Sequence, residues 1–283
     1  MKHGNQKFMR ATALALLAAV ALGAAGQAHA QAAYPNAEAA ADALVTSIST
    51  GDDDLLKRVL GADYRRYVPA DSVSRDDIYA FLAAWSKHHE VVTTGPKSAA
   101  LIVGQHGWPF PAPLVKDARG WHFDVREGAR EMQRRRIDRN EIAAIDTLQV
   151  LCQAQQAYRS SVGQGRPAQR IVSSEGRHDG LYWDAGTPAP GPSPLSDDAL
   201  VMGADVPVDA ALHGYRYALL PSADDSGCAF AAWPAAYGHS GRHSFVIGPD
   251  RKVRERDFGR QSGKAGFRGA TGDLGAQWSE AMP

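Results

Sequence analysis

The stretch NEIAAIDTLQVLCQAQQAYRSS, residues 140–161, decides the fold of the second half of the chain. Its apolar and aromatic residues recur every three or four positions, which is the period of one face of an α-helix. This stripe consists of Ile145, Leu148, Leu151, Cys152, Gln155 and Tyr158. The residues before it, 126–139, are rich in arginine with acids interleaved. We interpret them as a solvated helix face and not as a basic patch that binds an anionic surface.

Short strands joined by turns follow this helix. Residues 213–220 and 228–233 indicate one antiparallel hairpin, and residues 244–247 and 253–256 indicate a second. The turn of the second hairpin is Gly248-Pro249-Asp250-Arg251, which holds three common turn formers. We therefore expect the long helix to pack on a small antiparallel sheet.

The first half of the mature chain combines helices with short strands. Asn36 and Ser74 are good N-cap residues, and the helix expected after Ser74 has an apolar face. That face consists of Ile78, Phe81, Leu82 and Trp85. An apolar run at 99–103 and alternating apolar residues at 121–125 indicate strands. The predicted fold class is α+β.

The chain divides into four predicted segments. Residues 1–30 form a signal peptide, and residues 31–125 form an N-terminal α+β lobe. Residues 126–258 form the lobe of the long helix and its antiparallel sheet. Residues 259–283 form a Gly-rich tail with few core residues.

Residues 1–30 have the three parts of a cleavable export signal. A positive leader without acids precedes an uncharged run, residues 11–22, which is too short to cross a bilayer because that needs about 20 apolar residues. The small residues of Ala28-His29-Ala30 follow, so we place cleavage between Ala30 and Gln31. The alternative is an uncleaved membrane anchor. We expect a soluble mature protein, periplasmic or secreted, without stable insertion into a membrane.

The charge balance excludes two classes of partner. The full sequence holds 31 basic and 31 acidic residues, and without the three basic residues of the export signal the mature chain holds 28 against 31. A nearly neutral protein has no electrostatic basis for binding nucleic acid or anionic lipid. We therefore expect no nucleic-acid partner.

Two cysteines are present, Cys152 on the predicted helix and Cys228 at the start of a predicted strand. An isolated pair in an oxidising compartment is usually bonded, so these two are the disulfide candidate. The alternative is two reduced, buried thiols that pack as small apolar groups.

The segment Asp179-Gly180-Leu181-Tyr182-Trp183-Asp184 is the most suggestive of a ligand site. Adjacent aromatic rings flanked by acids in a loop are able to line a groove for a sugar or a peptide, with Asp179, Tyr182 and Trp183 as its residues. We prefer the alternative, in which Trp183 fills the gap between the two lobes and Asp179 sets up a turn.

The histidines and serines give no catalytic or metal site. His88 and His89, with Glu90 beside them, are placed on a helix, where adjacent side chains point in different directions and do not share a metal ion. His243 is one of four histidines scattered through predicted turns and strands, without a carboxylate at ligand spacing. Ser173-Ser174-Glu175-Gly176 lacks the flanking glycines of a nucleophile elbow. We predict no catalytic residue, no cofactor and no metal.

Four segments of the second lobe share a pattern with a known class of proteins. They are the helix 140–158 and the later segments Gly214-Tyr215-Arg216-Tyr217, Ala231-Ala232-Trp233-Pro234 and Ser244-Phe245-Val246-Ile247. Together they resemble the soluble heads of type IV pilins and secretion pseudopilins. The resemblance implies a long helix laid on a small antiparallel sheet. Pilins carry an apolar assembly segment on that helix, where this chain has Arg134-Arg135-Arg136-Ile137-Asp138-Arg139. Polymerisation in the pilin manner is therefore not expected.

A second resemblance covers nearly the whole mature chain. Its motifs are Gly120-Trp121-His122-Phe123-Asp124, Arg135-Arg136-Ile137 with Asn140-Glu141, Ala154-Gln155 with Tyr158, Asp179-Gly180-Leu181-Tyr182-Trp183, and Trp233-Pro234-Ala235 with Tyr237-Gly238. In combination they resemble an uncharacterised family of bacterial exported proteins, domain of unknown function 2950. The resemblance implies an exported protein of this architecture and transfers no catalytic residue.

These observations lead to one expected function and two alternatives. We expect a non-enzymatic periplasmic protein that serves as an interaction or accessory component of the cell envelope, with an envelope protein as its partner. The first alternative is a ligand-binding or hydrolytic protein that uses the cleft between the two lobes. The second is a structural domain, such as a periplasmic spacer.

Overall fold

The computed structural model describes residues 31–69, 73–184, 186, 191–222, 226–261, 267 and 278–281. These residues form helices and mostly antiparallel sheets, which confirms the predicted α+β fold class. The predicted signal peptide and most of the predicted Gly-rich tail lie outside them. The chain divides between Met132 and Gln133 into two compact units, a few residues beyond the lobe boundary expected from composition.

Within its described residues, the first unit wholly contains three α-helices: α1 (Ala37–Thr50), α2 (Asp53–Leu60) and α3 (Arg75–Lys87). Helix α1 begins where the side chain of Asn36 accepts a hydrogen bond from the backbone N–H of Ala39. Helix α3 begins with a capping box, in which Ser74 and Asp77 each accept the other's backbone N–H.

Five antiparallel strands form the first sheet: β1 (His89–Gly95), β2 (Ser98–Val103), β3 (Trp108–Pro109), β4 (Leu114–Lys116) and β5 (Trp121–Phe123). Their order is β1-β2-β4-β5, and β3 also pairs with β2. Leu101, Leu114 and Phe123 lie on one face of this sheet and pack against the buried alanines of α1. This contact forms the core of the first unit.

One local prediction in the first unit is wrong. The sequence predicts His88 and His89 on a helix, but α3 ends at Lys87 and His89 is the first residue of β1. The run Val91-Val92-Thr93-Thr94 follows, and such β-branched residues favour the extended conformation. The chain therefore leaves the helix as soon as this run begins.

The second unit contains most of the long helix α4 (Val125–Ser160), whose buried stripe was predicted from residues 140–161. Its principal sheet consists of the strands β8 (Tyr215–Leu219), β9 (Phe230–Pro234), β10 (His243–Ile247), β11 (Val253–Asp257) and β12 (Ser279–Glu280). Their order is β12-β11-β10-β9-β8, and the sheet is antiparallel throughout. A separate pair, β6 (Arg170–Val172) and β7 (Gly180–Tyr182), is parallel.

Helix and sheet of the second unit share one apolar core. Leu148 and Leu151 of α4 are fully buried in the same cluster as Phe230, Phe245 and Ile247 of the sheet. The opposite face of this sheet packs a second cluster, which includes Trp233 and Val246. Among the helices of the described residues, none is both long enough and apolar enough to cross a membrane.

Candidate functional site

Three residues of the segment 179–184, which the sequence suggests as a loop, form a strand instead. Gly180, Leu181 and Tyr182 form β7 and pair in parallel with β6. A Cβ at Gly180 would lie 2.5 Å from the backbone nitrogen of Ser173, so this close pairing requires glycine. Leu181 is fully buried in the core of the second unit. The sequence suggests a loop here because the strand is short. It also pairs in parallel, so no hairpin turn in the sequence indicates the pairing.

Trp183 lies in the core of the second unit. Its indole is 5 % exposed and contacts the rings of Tyr158 and His178, with centroids 6.5 and 5.2 Å away. The hydroxyl of Tyr158 donates to the carbonyl of His178, which fixes this aromatic group. The ring therefore has little surface to present to a ligand.

Asp179 and Tyr182 also have partners close in sequence. The carboxylate of Asp179 accepts hydrogen bonds from the backbone N–H and the hydroxyl of Ser174, 2.8 and 2.9 Å away, and lies 3.7 Å from Arg170. Desolvation raises the pKa of Asp179, but these bonds and the charge of Arg170 outweigh it and hold the pKa below its ordinary value. The hydroxyl of Tyr182 donates to Asp197, and this bond raises the pKa of Tyr182. The three candidate groove residues thus do not converge on one open site.

The two cysteines are joined in the structure. Cys152 of α4 and Cys228, two residues before β9, form a disulfide with their Cα atoms 4.8 Å apart. Both side chains are buried in the core of the second unit. The bond connects the long helix to the sheet that it covers.

A more connected polar group surrounds Glu141 of α4. One carboxylate oxygen, Oε1, accepts the backbone N–H groups of Arg242 and His243 at 2.8 and 3.1 Å. The other, Oε2, lies 3.0 Å from Nδ1 of His243. Because a carboxylate only accepts, Nδ1 carries the proton of this bond. The side chain of Glu141 is largely buried, so the carboxylate is held from three directions.

Two further side chains of α4 hold the same loop. The amide nitrogen of Gln133 donates to the carbonyls of Gly238 and His239, and that of Asn140 donates to the carbonyl of Ser240. Residues 133, 140 and 141 are seven and eight positions apart and so lie on one side of the helix. Together with the bonds of Glu141, they fasten the loop 238–242 to α4.

Tyr215 is the remaining member of this polar group and reaches it from the apolar core. Its ring is fully buried in the core, and its hydroxyl donates to the carbonyl of His243 at 2.9 Å. Burial raises the pKa of Tyr215 far above its ordinary value, so the phenol stays protonated. A Cβ at Gly241 would overlap that hydroxyl, which explains why the loop has glycine there.

His243 is the titratable member of the group. Burial disfavours its charged form, but the hydrogen bond and charge of Glu141, with Glu255 and Asp257 nearby, outweigh burial and raise the pKa of His243 above 6.5. The side chain is 37 % exposed, so the imidazole is partly accessible to solvent. Chemically, the group holds and orients an imidazole that gains or loses one proton.

This group is not apparent from the sequence, because Glu141 and the residues that it binds lie about 100 positions apart. In the sequence, His243 is one of several scattered histidines, and Glu141 stands only within a motif. The available signal was the polar set Gln133, Asn140 and Glu141 on the long helix, beside a sheet loop that contains Gly238 and Gly241. In the part of the chain that the structure describes, no three His, Cys, Asp or Glu side chains are grouped so that they could hold a metal ion.

The fold and this group define an α+β protein whose long helix is fastened to an antiparallel sheet by a disulfide and by the bonds of Glu141. The chain belongs to the family described as "Protein of unknown function (DUF2950)", whose model matches residues 31–280. This finding confirms the family that the motifs indicated. No curated protein and no solved structure matches the chain.

Proposed function

We propose that this protein is exported to the periplasm and serves there as a non-enzymatic interaction or accessory component of the cell envelope. Two features support the location. The first is the sequence of residues 1–30, with its positive leader, apolar run and small residues before Gln31. The second is the disulfide between Cys152 and Cys228, because such bonds persist in oxidising compartments and are rare in the cytosol.

The proposed interaction surface is the exposed face of α4 that contains Ile142 and Val150. Ile142 and Val150 are 45 and 47 % exposed, although both are β-branched apolar residues. They are eight residues apart, which is about 12 Å along the helix. Asp146 lies between them on the same side and is also exposed. Apolar side chains grouped with a charge on one rigid element are typical of a protein contact.

The partner that fits this face is another protein of the envelope. The face is on an element that the disulfide and the loop 238–242 hold in place, so little order has to be gained when a partner binds. The sequence resemblance of the helix 140–158 and the later segments to pilin heads supports the same proposal, since those heads are protein-contact modules. In the proposed contact, the partner lies alongside α4 and covers Ile142, Asp146 and Val150.

Crosslinking in the native host tests the proposal. A photo-reactive amino acid replaces Val150 in the full chain with its export signal, and the captured proteins are identified from the periplasmic fraction. The same probe is also placed at Gln153, another exposed position on α4, once in the otherwise wild-type chain and once together with Ile142→Glu and Val150→Glu. We expect both probe positions to capture the same envelope protein recurrently in the otherwise wild-type chain, and the Gln153 probe to lose it in the double variant.

Two results would contradict the proposal. The first is a protein that stays in the cytosol with residues 1–30 attached, which would remove the location. The second is capture from Val150 that Ile142→Glu leaves unchanged, because the contact would then not depend on this face. If nothing is captured and a glycan or peptide fragment raises the melting temperature of the purified protein, the ligand-binding alternative is favoured.

A further inference from the structure

Strand β1 is an open edge of the first sheet. Within the described residues it pairs with β2 alone, and five of its seven residues are exposed. The other end of the sheet is closed, because Tyr34 exchanges two backbone hydrogen bonds with Trp121 of β5, each 2.8 Å long. The β5 end of this sheet therefore has a further backbone partner, whereas β1 has none besides β2 within the described residues.

The register shows which backbone groups of β1 point outward. Gly104 donates to the carbonyl of His88, and the pairing of His89 with Val103 continues this register. In an antiparallel pair, alternate residues direct both backbone groups at the partner strand and the others direct both away. Even-numbered residues of β1 therefore bond to β2, and the N–H and C=O groups of His89, Val91 and Thr93 face the free edge.

A second bond supports this assignment from the far side of β2. Phe110 donates to the carbonyl of Leu101, so the odd-numbered residues of β2 point toward β3 and the even-numbered ones point toward β1. The pairs Glu90 with Ile102 and Val92 with Ala100 are then the hydrogen-bonded pairs of β1 and β2.

The edge lacks most of the usual protection against pairing, since Glu90 is the one Asp, Glu, Lys or Arg residue of β1. Natural edge strands are blocked by lysine, by proline, by a central bulge or by a covering element. Residues 89–95 contain no lysine, arginine or proline, and the single irregularity falls at the end of the strand, between Thr93 and Gly95. The row from His89 to Thr93 is regular and open over three outward-facing residues.

The side chains along β1 define what a neighbouring strand would meet. On the helix side, His89 stacks on Trp85 with ring centroids 4.0 Å apart, and Val91 packs on the core. On the other side lie Val92, which is 41 % exposed, and Glu90. A strand added here places alternate side chains on these two sides. It fits best with apolar residues beside Trp85 and Val92 and a basic residue beside Glu90.

We propose that β1 binds an extended segment of a partner protein, which adds to the first sheet as a further antiparallel or parallel strand. The backbone groups of His89, Val91 and Thr93 supply the affinity, and the side chains on both sides select the segment. This inference rests on the proposed function and adds a second contact to it, one that is made through backbone hydrogen bonds. The occupant is a strand because only an extended backbone is able to form hydrogen bonds with all of the outward-facing N–H and C=O groups of β1.

The test distinguishes binding through backbone hydrogen bonds from binding through side chains. The full chain carries a photo-reactive amino acid in place of Val92 and is crosslinked in the native host. Two variants are compared in this background, Thr93→Pro and Thr93→Ala. Proline removes the outward N–H of an exposed residue and leaves the bonds to β2, whereas alanine keeps that N–H and removes only the side chain. We expect proline to reduce capture about tenfold or more and alanine to leave it nearly unchanged.

A second measurement does not depend on either variant folding. Amide exchange of the purified mature protein should be fast at His89, Val91 and Thr93 and slow at Glu90 and Val92. The captured partner residues should fall in one linear segment with alternating apolar side chains and a basic residue. Equal capture by both variants, slow exchange at all five amides, or capture of a second copy of this chain would each overturn the inference. Capture from Val150 on α4 would persist in those cases, so the two proposals fail separately.

Discussion

The carboxylate of Glu141 accepts the backbone N–H of His243 with one oxygen and the ring Nδ1–H of the same residue with the other, at 3.1 and 3.0 Å. One residue of the long helix thus fixes both the backbone and the imidazole of the first residue of β10. The arrangement resembles the way in which a carboxylate orients a histidine in many functional sites. Here the same carboxylate also accepts the N–H of Arg242, so orientation of the ring and attachment of the loop are one interaction.

Removal of the Glu141 carboxylate should destabilise the second unit. Glu141→Ala leaves the N–H groups of Arg242 and His243 without their acceptor, and we expect the free energy of unfolding to fall by about 2–4 kcal/mol. Glu141→Gln keeps an amide oxygen for these donors and should cost about 1 kcal/mol. Urea unfolding of the two variants, followed by circular dichroism, measures the difference. Equal losses in both variants would mean that the charge, and not the acceptor, holds the loop.

The raised pKa of His243 makes stability depend on pH. A group whose pKa is higher in the folded state than in the unfolded state stabilises the fold when it is protonated. The contribution of His243 is therefore complete below pH 6.5 and is lost as the pH rises through the raised pKa. We expect the melting temperature of the wild type to fall over that interval relative to His243→Asn, which has no titrating ring. A constant difference between the two proteins from pH 5 to 9 would contradict the assignment.

The long helix was predictable because its signal is local. The apolar stripe repeats with the helical period, and the arginine-rich residues before it are good helix formers, so α4 begins at Val125, well before the predicted core of the stripe at 140. The hairpins of the principal sheet were predictable for the same reason, since each consists of an alternating run, a turn and a second run. Their observed bounds shift by one or two residues, as expected for strand ends.

Two of the strands that the sequence did not predict, β1 and β7, had no such local signal. β1 follows α3 after a single residue, so its first residue, His89, was assigned to the helix. β7 has three residues and a parallel partner, and a parallel pair leaves no hairpin turn in the sequence. The group around Glu141 was harder still, because it depends on which face of α4 meets the loop 238–242. Contacts between segments about 100 positions apart decide which face of α4 meets this loop, and no short motif indicates them.

The disulfide should account for a large share of the stability of the second unit. Cys152 and Cys228 are 76 residues apart in sequence, so the bond restricts a long loop in the unfolded chain, and reduction should lower the free energy of unfolding by about 2–4 kcal/mol. The comparison is between wild type and the double variant Cys152→Ala with Cys228→Ala, each unfolded in urea with and without a reductant. Only the wild type should respond. A midpoint that is unchanged by reductant would show that the bond does not stabilise the fold.

The packing of Trp183 predicts unequal costs at two adjacent aromatic positions. Trp183 is 5 % exposed and fills the space beside Tyr158 and His178, so Trp183→Ala should lower the free energy of unfolding by about 3–5 kcal/mol. Tyr182→Phe removes only a hydroxyl bonded to the exposed Asp197 and should cost less than about 1 kcal/mol. Urea unfolding of both variants measures the contrast, with Tyr182→Phe as the matched control. If Trp183 were instead the wall of an open groove, Trp183→Ala would leave the unfolding midpoint near that of the wild type. That result would favour the ligand-binding alternative, with Trp183 as a contact residue.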